Sequence, residues 1–352
     1  MIISPLKTNR IEWIDTIKGI CIILVIIYHT CGLPIIGQFL FGGFMGTFFI
    51  LSGYTTKKDI ISSGIKKKIE RLLIPYFFYG IISILFITSN QIIHGNWEYT
   101  IKYIGGLIYS RYSIVPLQSK GFTENSIILV NSPLWFLTTI FISYIYFYFY
   151  INIKKKITKL LFICISIILC VITNEAKILL PWGIDISFIC FLLLLYGYYY
   201  SKYRNKLHYP CYIKLCSIIT IGYLYYIMVI YNGHINLSVR IYGNHGVLSI
   251  ILFYCICIIE TRIFILIIQP IHSIITKILA IIGKHSLRIM CIHIPLSYIE
   301  SIILSTLNIN INQYLSAIIL IIITLFFNYI LIHIFKRVSI HKNILSRSVK
   351  YL

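Results

Sequence analysis

Apolar stretches of nearly equal length recur along this chain, near 14–33, 39–56, 72–90, 130–151, 157–173, 183–200, 212–231, 242–260, 285–303 and 313–335. Each is close to the ~20 residues a helix needs to cross a ~30 Å hydrocarbon slab. Inside such a slab only helices and closed barrels satisfy every backbone N–H and C=O. With 59% hydrophobic and 12% charged residues, and a mean hydropathy of +0.88, the chain is expected to be an all-α integral membrane protein. The expected architecture is a bundle of about ten transmembrane helices forming a single domain over residues 1–352. The first stretch lacks a small-x-small cleavage site and follows Glu12 and Asp15, so it reads as a retained span and not as a removed signal peptide.

Charge supplies the orientation. With a cytoplasmic N-terminus, 25 of the 31 Lys and Arg residues fall in inner segments, within 7–18, 57–71, 154–159, 202–214, 262–284 and 336–350. The outer segments hold Lys102, Arg111, Lys120, Lys177 and Arg240, and Arg288 lies within a span. This skew predicts N-in and C-in topology, with an outer loop over about 91–129 and a basic cytoplasmic tail over about 336–352. The segment 263–282 is apolar enough to be an eleventh span but would invert the tail, so an amphipathic piece on the inner surface, interrupted by Pro270, is expected there. Because the net charge of +21 is dispersed over many connections, topology and anionic membrane lipids account for it, and nucleic acid is not expected as a partner. The ten cysteines lie mostly in apolar runs without a Cys-x-x-Cys pair, and no His-Glu-x-x-His occurs, so packing is expected of the thiols and no metal site is implied.

Two polar groups interrupt the first span. Lys18 and His29 are eleven residues apart; steps of ~100° return them to within ~20° of one helix face, about 16 Å apart along the axis. An ionisable residue inside a span costs a few kcal/mol on insertion scales and by default lines a site or pathway. Plainer readings compete: a lone histidine making a structural hydrogen bond, a lysine reaching back to the interface, and an Asp15 that pairs with Lys18 or favours the helix start.

Taken in order, several motifs resemble one family. They are Arg10-Ile-Glu-Trp-Ile-Asp15-Thr-Ile-Lys18-Gly19 followed after nine residues by His29, then Phe48-Phe49-Ile50-Leu51-Ser52-Gly53-Tyr54, then Lys68-Ile-Glu-Arg71-Leu-Leu-Ile-Pro75-Tyr76. Pro133-Leu134-Trp135-Phe136-Leu137 and Gly283-Lys-His-Ser286-Leu-Arg-Ile-Met-Cys-Ile-His293 add to them. Together they resemble the membrane acyltransferase 3 family, and within it the fucose 4-O-acetylase-like polysaccharide O-acetyltransferases. The resemblance implies a multi-pass enzyme of the bacterial plasma membrane. Such an enzyme takes acetyl from cytoplasmic acetyl-CoA, a co-substrate and not a tightly bound cofactor, and delivers it to a hydroxyl of a surface or exported polysaccharide or a lipid-linked glycan. It implies His29 as the catalytic histidine with Lys18 at the basic position before it, and acyl-donor contact at Lys68 and Arg71; Asp15, one turn before Lys18, is expected to belong to the catalytic group with them. Lysine at 68 departs from the family's arginine; it keeps the charge but loses the planar fork that grips phosphate.

The residues themselves fit that chemistry. Coenzyme A carries phosphates at one end and a thioester at the other, so it needs cations at one depth and a base further in. Lys18, Lys68 and Arg71 supply the cations at the inner boundary, and His29 is placed to accept a sugar hydroxyl's proton. Ser52 and Tyr54 either present hydroxyls to the thioester oxygen or belong to a small-residue packing stretch. Glu300, about 22 Å along the ninth span and so near the depth of His29, and Asp185, at the outer start of the sixth, are expected to orient His29 or receive the acceptor. His293 shares the Glu300 face, and Trp135 is an interface anchor or a sugar platform. Readings of another class remain open at this point: a glycan transporter or flippase, or a polysaccharide polymerase working from the outer loop around Arg111.

Overall fold

The computed structural model describes residues 11–31, 43–56, 64–95, 97–111, 129–176, 179–203 and 211–348, with the side chains of 90–92, 211–215 and 335–348 left out. The described residues are overwhelmingly helical, as a chain solvated by lipid must be, with one isolated antiparallel bridge between Asn236 and Ile241. Helix α1 spans Glu12–Cys31 with Glu12 and Asp15 in its first turn, where acidic groups complement the helix dipole. Helix α2 is Phe44–Tyr54. Helix α3 (Gly64–Lys68) passes through a π-helical turn (Ile69–Leu73) into α4 (Ile74–Ile93). Then come α5 (Glu98–Tyr109), α6 (Trp135–Asn152), α7 (Lys156–Glu175), α8 (Ile184–Tyr203) and α9 (Cys211–Asn232). The chain continues with α10 (Val247–Ile268), α11 (Ile274–Lys284), α12 (Ser286–Thr306) and α13 (Gln313–Ser348).

Eight of the described helices are long and apolar enough to cross a membrane, and two shorter apolar helices, Phe44–Tyr54 and Cys216–Asn232, accompany them. Several boundaries differ from the sequence expectation. The span expected at 242–260 starts at Val247 and runs on to Ile268, because nothing in Arg262–Ile268 breaks an i→i−4 ladder before Pro270. The amphipathic helix is therefore α11 alone. A capping box starts it, in which the Thr276 N–H donates to Ser273 Oγ at 3.2 Å and the Ser273 N–H donates to Thr276 Oγ1 at 3.0 Å. The outer loop expected over 91–129 contains α5, and the segment expected as a tail from 336 continues α13 as helix to Ser348.

Backbone-to-backbone helix crossings hold the bundle. A Cβ on Gly19 would lie 2.1 Å from Leu279 O, and one on Gly283 would lie 1.7 Å from Asp15 O, so α1 and α11 touch through their main chains. Thr16 Oγ1 adds a 3.0 Å hydrogen bond to Thr276 O across the same crossing. Helices α2 and α8 repeat the device: a Cβ on Gly53 or on Gly197 would come within 1.9 Å of Leu194 O or Ile50 O respectively. Without a hydrophobic drive between helices in lipid, such close packing is what associates them. The opposite face of α11 exposes Ile274, Ile275, Ile278 and Ile281.

Gly53→Leu forces the α2–α8 crossing apart and should destabilise the fold by about 1–3 kcal/mol or more. The temperature at which the detergent-solubilised protein aggregates should fall accordingly. Gly64→Ala, where an added Cβ meets nothing within 4 Å, should leave that temperature unchanged or slightly raised.

Candidate active site

Cations and aromatic rings gather where α1, α2, α3, α6, α8 and α10 converge. The Lys68 ammonium sits 3.3 Å from the centroid of the Tyr144 ring on α6, a cation–π contact. The Tyr144 hydroxyl donates to Ser52 O at 3.2 Å and lies 3.5 Å from Thr56 Oγ1, and Lys18 is carried by α1, which packs against α2. Tyr54 meets Trp13 edge-on at 5.2 Å and Tyr200 at 6.0 Å, and the Arg262 guanidinium lies 4.6 Å from the Tyr200 ring centroid. Lys18, Lys68, Ser52 and Tyr54 are thus brought together. Arg71 is exposed on the neighbouring π-helical turn. Pro75 explains that turn: it lacks an N–H and its ring crowds the carbonyl of Arg71, so the ladder slips and the Ile74 N–H donates to Ile69 O instead.

A second locus lies further along α1. His29 is exposed although Val25 and Ile26, one turn earlier, are 4% and 1% exposed. Its exposure is to a cavity of about 280 Å³, walled by Val25 and Tyr28 of α1, Phe44 and Met45 of α2, Ser132, Pro133 and Trp135 before and in α6, residues 235–239, Phe253 of α10 and Met290 of α12. The ring of His293, fully buried on α12, stands beside that of His29 with centroids 5.3 Å apart. Its Nδ1 lies 3.2 Å from Ile289 O; a carbonyl only accepts, so that nitrogen carries the hydrogen and the lone pair is on Nε2. Buried Nε2 has no hydrogen-bond partner among the described residues.

The register of α12 departs from expectation. Because Gly283 packs against α1 at Asp15 and Gly19, α12 starts well up the first helix, and His293 is what stands level with His29. Glu300 is about 10 Å further along and accepts a 3.0 Å hydrogen bond from Ser316 of α13. Ser52 is likewise about 12 Å along α2 from Phe44, at the cationic locus and not beside His29. The face joining Lys18 to His29 carries Ile22 and Val25. Ile22 is fully buried, and Lys18, Lys68 and Arg71 do not line the cavity. The way from the cations to His29 is therefore closed by packed apolar side chains in this structure.

Asp185 does not face His29. It is fully buried between Arg111 and Arg240, which bind Oδ1 and, at 3.0 Å, Oδ2. Arg111 also donates to Leu180 O and Ser238 O, each at 3.0 Å, and Arg240 donates to Ala176 O. Trp135 is 6% exposed in the cavity wall. Sequence reasoning missed residues 235–239, which carry no pattern of their own. It also missed Glu260, 5% exposed and hydrogen-bonded by the Tyr225 hydroxyl at 3.0 Å, although an acid inside an apolar helix is itself a signal.

A family model described as an acyltransferase domain, acyltransferase 3, matches residues 11–333. No similar curated protein and no similar solved structure was found.

Removing Asp185 strands two buried guanidinium groups. Asp185→Ala should cost about 3–5 kcal/mol, measured as a large drop in thermal stability in detergent. Glu98→Ala, which removes the exposed 2.7 Å pair with Lys102, should leave melting nearly unchanged.

Proposed function

The chain belongs to the acyltransferase 3 family, and from that premise we propose that it is a multi-pass O-acyltransferase of the plasma membrane, with both termini cytoplasmic. It moves an acetyl group from cytoplasmic acetyl-CoA to a hydroxyl of a surface or exported polysaccharide. The observation that carries the reading is His29 on a cavity wall with a second imidazole 5.3 Å away. A base is useful only where an acceptor can reach it, and His29 is exposed on the wall of this cavity.

In this mechanism the lone pair of His293 Nε2, unpartnered among the described residues, takes a hydrogen bond from one ring nitrogen of His29 once the acceptor is bound, which leaves the lone pair of the other nitrogen for the acceptor. That nitrogen takes the proton of the acceptor hydroxyl as its oxygen attacks the thioester carbonyl. The tetrahedral intermediate collapses with cleavage of the carbon–sulfur bond, and the proton passes to the departing thiolate. Ester and free CoA thiol result, with no net proton gained or lost. Lys68, Lys18 and the neighbouring Arg71 hold the phosphates of the donor. The Ile22 layer lies between those cations and His29, so the acetyl-bearing arm reaches the base only when α1 and its neighbours part there. Donor entry is a conformational step that precedes chemistry.

The rival readings have less to stand on. Arg111, around which a polymerase would work, is 1% exposed and has all three guanidinium nitrogens hydrogen-bonded. A transporter needs no imidazole pair on its cavity wall.

Membranes containing the protein should transfer radiolabelled acetyl from acetyl-CoA to glycan. His29→Ala should lose at least ~10²-fold in rate at equal protein abundance, the usual worth of a general base. Lys68→Met should instead raise the KM for acetyl-CoA more than it lowers kcat. Undiminished transfer by His29→Ala would falsify the assignment.

A further inference from the structure

One part of the wall of the cavity that His29 lines is a short loop with unusual support. Residues 235–239 supply five of the fifteen described lining residues. The loop closes on itself through paired hydrogen bonds of 2.8 and 2.9 Å between the backbones of Asn236 and Ile241, with Arg240 in the left-handed region at φ 59°. From behind, Arg111 Nη1 holds the Ser238 carbonyl at 3.0 Å, and Arg240 is tied to Asp185. Arg111, Asp185 and Arg240 are all at least 95% buried. A polar cluster of this cost is retained where it specifies one geometry, and the geometry it specifies here is that of the loop.

What the loop presents is neutral. The Ser238 hydroxyl donates to Asn236 Oδ1 at 2.6 Å, which orients the amide so that its NH₂ is the donating end and leaves Ser238 Oγ free to accept. Trp135, Tyr28 and Phe44 add aromatic surface, and no Asp, Glu, Lys or Arg is among the described lining residues. The segment 32–42, which joins the two cavity-lining helices α1 and α2, contains no charged residue in its sequence. A volume of about 280 Å³ is just under the usual range for ligand sites, room for a single sugar ring within the cavity. An ionised ligand would enter without a counter-charge, which low-dielectric surroundings penalise heavily.

We propose that this cavity selects an uncharged sugar ring as acceptor, and that the loop 235–239, held by the buried Arg111–Asp185–Arg240 cluster, is the element that reads it. The inference rests on the acyl-transfer reading and adds the class of acceptor and the residues that discriminate. Asn236 and Ser238 bind the ring's hydroxyls; Arg111, Asp185 and Arg240 are positioning residues that act through the loop.

The test uses the full-length protein in membranes with radiolabelled acetyl-CoA and two acceptors, an alkyl glucuronoside and its methyl ester, which differ by one charge. The methyl ester should be acetylated with kcat/KM at least tenfold above the anion. In Asn236→Ala and Ser238→Ala the acceptor KM should rise several-fold while the KM for acetyl-CoA stays put, and Asp185→Asn should narrow the tenfold preference. Equal use of anion and ester overturns the proposal, as does a loop variant that raises the acetyl-CoA KM instead, which would make the cavity the donor's. Absence of CoA release with any glycan or glycoside overturns the acyl-transfer reading itself and this inference with it.

Discussion

Main-chain contact between α1 and α11 sets the height at which the rest of the site stands. Gly19 and Gly283 leave no room for a Cβ on either side, so the two helices have one register and no continuous range of sliding positions. Helix α12 follows α11 almost without a break, and its register is inherited from that crossing. His293 consequently arrives beside His29, and Glu300 is carried past it to α13. The imidazole pair is thus a consequence of two glycines some 10 residues away along each helix, not of any attraction between the rings.

Polar groups in this bundle are sorted by how they are satisfied. The Lys68 ammonium is matched by an aromatic face and Arg262 by another, which leaves each cation able to exchange its partner for a phosphate at modest cost. Arg111 and Arg240 are matched by a carboxylate and by carbonyls, deep and saturated, which is the arrangement of a scaffold. His29 and His293 fall between these extremes, one exposed on the cavity wall and the other buried with its Nε2 unpartnered among the described residues. Depth and satisfaction together separate the cationic locus, the imidazole pair and the framework more clearly than residue type does.

Between the cationic locus and His29 stands Ile22, fully buried. Packed aliphatic side chains on the Lys18–His29 face keep the two loci apart, so that the bundle holds no open hole between them. The π-helical turn at Ile69–Leu73, next to Pro75, is a place where the adjoining helix gives up regular hydrogen bonding, and strain of that kind is common where an element has to move.

Much of this was legible in the chain. Apolar run lengths marked nearly every long helix, because lipid leaves the backbone no alternative, and the spacing of Lys18 and His29 placed a cation and a base on one face, because the helix repeat is fixed. Helix ends were read less well: Arg262–Ile268 carries nothing that stops a ladder, and a basic composition after 336 says nothing against continued helix. Relative heights of different helices were not in the sequence at all. No local pattern states that Gly283 will seat on Asp15, so none could say that His293 and not Glu300 would reach His29. Nor could any say that Asp185 would close on two arginines 74 and 55 residues distant. Local periodicity determined what each segment is, since that depends on neighbours within a few turns. Which side chains share a cavity was decided only by the crossings, since that depends on contacts between segments far apart in the chain.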